Sequence, residues 1–215
     1  MKTSVLVIGL GRFGAAAARE LIALGHEVLA VDRDEAIVNE IAPEVTHAVQ
    51  LDAADEAALR AIGAAEFEHA IVAISGDTEA SIFATMALKN LGVANVLAKA
   101  GSELHGAILE RVGADRVVFA EREMGQRVAH SFAVRDVVDY LDVAPRFGIV
   151  KVRPPASWVG RTFKDLDLAV RLSLTPIALR RGDGVAVNPH RDEVIRADDQ
   201  VLLIGRDDRL DELGR

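Results

Sequence analysis

Six residues near the start of the chain limit its fold more than any other feature. Gly9-Leu10-Gly11-Arg12-Phe13-Gly14 follows directly on the apolar run Ser4 to Ile8 and opens an alanine-rich segment, roughly Phe13 to Leu24, that stops at Gly25. A lone G-x-G-x-x-G is a weak signal. This one stands between a predicted strand buried on both faces and a predicted helix, the setting in which each glycine has a task. Gly9 permits the tight turn, Gly11 lets backbone N–H groups approach phosphate oxygens, and Gly14 lets the helix pack close to the sheet. The helix N-terminus adds partial positive charge. The plain alternative is a glycine-rich turn with no ligand, and Asp32 argues against it. Asp32 closes the next predicted strand, Glu27 to Val31, about 20 residues beyond the loop, where a carboxylate accepts hydrogen bonds from ribose hydroxyls. Taken alone, Asp32 also reads as a helix cap, because Asp34 and Glu35 begin the next helix. It favours an unphosphorylated ribose, while the adjacent Arg33 keeps a 2′-phosphate, as in NADP, open.

Strand and helix then alternate along the first 120 residues. Strands are predicted at Thr46 to Leu51, Ala70 to Ile74, Val96 to Ala98 and Arg116 to Phe119. Helices are predicted at Glu35 to Ile41, Ala54 to Ile62, Glu79 to Leu91 and Leu104 to Val112, with Pro43 and Gly92 as stop signals. Six such strands with short joints predict an α/β fold, a doubly wound, Rossmann-like parallel sheet covered on both faces. One more helix is predicted at Met124 to Phe132, and a short one around Val137 to Leu141. After Pro145 the pattern changes to strands at Ile149 to Val152, Leu174 to Leu179, Val185 to Val187 and Val201 to Ile204. Gly182-Asp183-Gly184 signals a tight turn, and helices are predicted at Phe163 to Val170 and Asp207 to Leu213. The expected organisation is a nucleotide-binding domain over residues 1–134, a linker over 135–146 and a small α+β domain over 147–215.

Composition narrows the partners. Lys and Arg number 25 against 33 Asp and Glu, a net charge of −8, which makes the chain a poor candidate for nucleic acid or anionic lipid. There is no cysteine, which excludes disulfides and thiolate metal sites. No apolar run approaches the length of a bilayer span, and Met1-Lys2-Thr3 does not read as a signal peptide, so a cytosolic protein that docks onto any membrane it serves is expected.

Ligands of open α/β sheets sit at the carboxyl ends of the strands. That rule selects Asp52 and Ala53 after the third strand, Ser75 and Gly76 after the fourth, and Lys99 at the end of the fifth. For each of these singly, an ordinary loop role competes. Arg12 is either a solvated side chain or a phosphate contact, since a guanidinium pairs bidentately with phosphate oxygens. Glu121 and Glu123 read as an acidic helix N-terminus or as oxygen ligands for magnesium or calcium. The six histidines show no zinc spacing.

The whole chain resembles the RCK (regulator of potassium conductance) subunits of bacterial Trk and Ktr potassium uptake systems. The likeness lies in VIGLGRFG…ELIALGHEVLAVD, THAVQLDAADEAALRAIG, FEHAIVAISGDTEAS and LERVGADRVVFAEREMGQRVA, with a TrkA-C-type domain from Phe147 onward. The resemblance implies regulation rather than catalysis. It implies a homodimer assembling into a homo-octameric ring beneath a potassium-translocating membrane subunit of the KtrB or TrkH kind. ATP and ADP, or NAD and NADH, would favour different ring shapes. It also implies Arg12 on terminal phosphates, Asp32 on the ribose, Asp52 and Ala53 near adenine, Lys99 near phosphates, and Glu121 on a divalent cation at the dimer interface, here after Ala120 in place of the family's proline. The arginine of the cyclic di-AMP pattern is replaced by Ala169, so that ligand is not implied.

Two rivals share the loop and Asp32. An NAD-dependent oxidoreductase would need a Lys, Tyr or His constellation for proton transfer, which the small second domain does not show. An NAD-sensing repressor would need a basic DNA-reading element.

Overall fold

Four consecutive residues of β1 (Ser4–Ile8), Val5 to Ile8, are buried, because both faces of this strand are covered. A computed structural model describes residues 2–133, 136–210 and 213 and divides into two units, Met1–Glu121 and Arg122–Arg215. In the first unit β1 is followed by α1 (Arg12–Ala23), β2 (Glu27–Asp32), α2 (Glu35–Ile41), β3 (His47–Gln50), α3 (Glu56–Ala61), β4 (His69–Val72), α4 (Thr78–Asn90), β5 (Asn95–Lys99), α5 (Glu103–Arg111) and β6 (Arg116–Val118). All strand pairs are parallel, in the order β3-β2-β1-β4-β5-β6. The winding reverses between β1 and β4. Side chains of a strand alternate between faces, and here they feed two cores. Leu6 and Ile8 join Leu59, Leu88 and Leu109 on one side, and Val5 and Val7 join Ala18, Val38 and Ile41 on the other. The sequence-predicted six-stranded, doubly wound sheet is therefore the observed one.

The helix α6 (Ala120–Ala133) begins four residues ahead of its predicted start and leads into the second unit. Its Met124, Val128 and Phe132, spaced four apart, are 54%, 47% and 87% exposed, an apolar stripe along one face.

The second unit contains β7 (Val137–Ala144), β8 (Phe147–Val152), α7 (Phe163–Leu166), α8 (Leu168–Arg171), β9 (Thr175–Arg181), β10 (Gly184–Val187), β11 (Gln200–Arg206) and α9 (Asp207–Leu210). Its sheet is antiparallel, in the order β10-β9-β11-β8-β7, over a core that includes Val150, Trp158, Phe163, Leu174, Ile195 and Leu203. One expectation is overturned here. The short helix predicted around Val137 to Leu141 is instead part of the strand β7, paired with β8 around a turn at Pro145-Arg146. Its pairing shifts between Val137 and Asp139 and again between Asp142 and Ala144, and bulges of this kind remove the strict alternation that marks a strand. Residues 134 and 135, where the expected linker begins, lie outside the described residues. The helix predicted at Phe163 to Val170 is two short turns, broken at Asp167, which takes φ 46 and ψ 48. The last helix is described over Asp207–Leu210; residues 211 and 212 of its predicted extent lie outside the described residues.

Candidate nucleotide site

The reversal between β1 and β4 opens a crevice of about 270 Å³ at the carboxyl ends of the strands, where two loops diverge around the end of β1. Gly9 and Gly11 form its floor. Asp32, Arg33 and Asp34 come from the end of β2, Leu51 to Ala53 from the end of β3, and Ala73 to Ser75 from the end of β4. Ile37 and Ala80, which the sequence did not single out, complete the wall from the first turns of α2 and α4.

The glycines divide their labour as their positions require. Gly9 has φ +87, and a Cβ there would meet the backbone N of Ile74 at 2.8 Å. A Cβ on Gly14 would fall onto the carbonyl oxygen of Gly9, so α1 can lie this close to the loop only with glycine at that point. Around Gly11 a Cβ would meet nothing within 4 Å. Gly9 and Gly14 thus answer to the fold, and Gly11 keeps the crevice side of the loop clear. No side chain caps α1, so its first-turn amides, which lack intrahelical acceptors, face the loop mouth as donors. Those donors, the helix dipole and the open face at Gly11 fit a phosphate group.

Asp32 holds the loop in place. Its Oδ2 accepts the Leu10 N–H at 2.6 Å and its Oδ1 the Asp34 N–H at 3.0 Å. Capping of α2, the competing role, falls to Asp34, whose Oδ1 accepts the Ala36 N–H at 2.8 Å. The Asp32 carboxylate therefore stays at the crevice wall rather than within a helix cap. Asp52 accepts the Ala54 N–H at 3.0 Å, and Ala53 is buried beside it. Ser75 is exposed at the rim, and Gly76 follows with φ +82. Arg12, the first residue of α1, is exposed, and its guanidinium makes no hydrogen bond to another of the described residues. Phe13 is half-buried behind it.

Lys99 and Glu121 are brought together with each other rather than into the crevice lining. Lys99 is buried at the end of β5, its Nζ 2.5 Å from Glu121 Oε1 and 6.0 Å from the Phe13 ring centroid. The hydrogen bond from Lys99 holds the Glu121 carboxyl below the usual range, and Arg12 adds a smaller electrostatic pull in the same direction. Among the described residues no three His, Asp or Glu side chains are grouped to hold a metal ion. Sequence reasoning missed the pairing of Arg33 Nη1 with Asp77 Oδ2 at 2.9 Å. Asp77 carries the N-cap signature of α4, but nothing local links it to Arg33.

The chain matches the TrkA-N domain family over residues 5–120 and the TrkA-C domain family over residues 148–215. It is 40% identical over 205 residues to the Ktr system potassium uptake protein C of Bacillus subtilis (strain 168), covering 95% of this chain and 93% of that one. It is 36% identical over 199 residues to the Ktr system potassium uptake protein A of the same organism, covering 93% and 90%. The fold is also that of the GsuK channel bound to NAD, with a TM-score of 0.70 at 16% identity over 99% of this chain. The chain spans 39% of that channel polypeptide.

Proposed function

This chain belongs to the family that joins a TrkA-N to a TrkA-C domain, and on that premise we propose that it is a nucleotide-responsive regulatory subunit of a membrane potassium uptake system, not an enzyme. The observation that carries this reading is the crevice at the β1/β4 reversal, with uncapped α1 amides on one side and the Asp32 carboxylate on the other. The α1 amides and Arg12 would take the phosphates, Asp32 the ribose hydroxyls, and the apolar wall of Ile37, Leu51 and Ala53 the adenine. ATP and ADP are the primary ligands of this proposal, with NAD and NADH as the second pair. A divalent cation at Glu121 would share that carboxylate with Lys99.

The assembly belongs to the proposal too. A homodimer, built up into an octameric ring, would cover the exposed stripe Met124, Val128 and Phe132. No helix among the described residues is long and apolar enough to cross a membrane. The likeness to Ktr system potassium uptake proteins supports a peripheral subunit docked on the cytoplasmic side of a potassium-translocating partner. A ligand moves a conformational equilibrium only by its difference in affinity for the two states. ATP and ADP differ at the terminal phosphate, and Arg12 is the exposed guanidinium beside the loop. Arg12→Ala is expected to keep ADP binding while erasing most of the preference between ATP and ADP, read by calorimetric titration with ATP, ADP, NAD and NADH with and without magnesium. Potassium uptake by the reconstituted system should then respond equally to both nucleotides. Normal discrimination by the variant would remove Arg12 from this role.

A further inference from the structure

We infer that Arg33 and Asp77 form a clasp over the crevice that makes it select against a 2′-phosphorylated ribose, with Asp77 as the specificity-determining residue. The inference rests on the nucleotide reading above and deepens it.

Arg33 immediately follows Asp32, the position from which an arginine accommodates a 2′-phosphate in dinucleotide sites. Here that guanidinium is already engaged. Its Nη1 lies 2.9 Å from Asp77 Oδ2. Neighbouring strands are about 4.8 Å apart, so β2 and β4, which flank β1, are separated by about 10 Å. The Arg33 side chain crosses that gap, from the loop after β2 to the loop after β4, above the end of β1 where the crevice lies. Both of its ends are fixed. Gln50 Nε2 donates to the Arg33 carbonyl at 3.1 Å from the β3 side. Asp77 is itself oriented by the α4 cap, its Oδ1 accepting the Ala80 N–H at 3.0 Å.

Charge then decides the selectivity. Asp32, Asp34 and Asp52 line the crevice, and Asp77 pairs with Arg33, the cation that follows Asp32 in the chain. A 2′-phosphate would bring up to two further negative charges among these carboxylates, with Arg33 already paired. A plain ribose offers hydroxyls instead, which Asp32 accepts without added charge.

The test compares ADP with 2′-phospho-ADP by titration calorimetry on the full chain. The wild type should bind ADP at least about tenfold more tightly. Asp77→Asn keeps an N-cap oxygen and removes the charge on Arg33. It should narrow the ratio of the two affinities by about fivefold, the scale of one exposed ion pair. In the double variant Arg33→Ala, Asp77→Asn the narrowing should disappear, because no guanidinium is left to meet the phosphate. A ratio unmoved by Asp77→Asn, with ADP still bound and the circular dichroism of the wild type retained, overturns the clasp alone. A wild type that binds neither ligand overturns both the clasp and the nucleotide reading beneath it.

Discussion

Asp32 accepts N–H groups from Leu10 and Asp34 and so ties the glycine loop to β2 through one side chain. The loop glycines make a sharp test at this scale, because they answer to different demands. Gly14→Ala forces a methyl group into the Gly9 carbonyl, a backbone atom that cannot swing aside. It should destabilise the chain by about 3 kcal/mol in urea unfolding, the upper range for overpacking. Gly11→Ala meets open space at φ −61. It should cost about 1 kcal/mol or less yet weaken ADP binding by about tenfold or more, since its methyl group stands where phosphate approaches. Equal losses of stability in the two variants would deny this division. Gly9, Gly11, Gly14 and Asp32 were legible in the sequence because a strand, a loop and a helix that are contiguous in the chain dictate their tasks. Arg33 with Asp77, and Lys99 with Glu121, were not. Each pair spans different elements, 44 and 22 residues apart, and only the strand order brings the partners together.

Among the elements, β1, β2, β4 and β5 announced themselves because strands inside the sheet, covered on both faces, demand near-continuous apolar runs, whereas the edge strands β3 and β6 are more exposed and owe their legibility to the helices alternating with them. The strand β7 did not. It is an edge strand with Asp139 and Asp142 in its middle and two register shifts, so neither alternation nor a continuous run survives in VVDYLDVA. The strand β9 was legible at Leu174 to Leu179, and its irregular point is Pro176. Pairing with β11 slips between Leu202 and Leu203, opposite this proline, which has no N–H to give to the ladder. The end of β9 also carries an ionic contact to a buried carboxylate. Arg181 pairs bidentately with Asp199 at 2.7 and 2.8 Å and reaches Glu193 at 2.9 Å. Burial pushes the Asp199 carboxyl up, but the Arg181 guanidinium and the Arg196 N–H outweigh it and leave the group below its ordinary 3.8. A carboxyl depressed in the folded state lends stability above its unfolded value, and loses it as pH falls through the lower folded value. Asp199→Ala should therefore cost about 3 kcal/mol at neutral pH, with the gap to wild type closing as pH drops below about 4. A gap of the same size at pH 3 and pH 7, measured by urea unfolding, would show that the charge is not what stabilises.

For the whole molecule, the decisive fact is that each unit closes its own core. Leu6, Leu59 and Leu88 belong to one, and Val150, Leu174 and Leu203 to another. The crevice draws its lining from the first unit alone. Thermal unfolding is accordingly expected to show two transitions, of which ADP shifts one. At about 100 times its Kd, ADP would add about 2.7 kcal/mol to the unit that binds it. A single transition moved as a whole by ADP would mean that the two units melt as one. The reversal of strand order between β1 and β4 also has an evolutionary corollary. Chemical selectivity there is written in two rim segments, after the second and fourth strands, which lie outside both packed interiors. Descendants of such a chain can come to answer a different metabolite by drifting at a handful of rim positions, while the scaffold beneath is inherited unchanged.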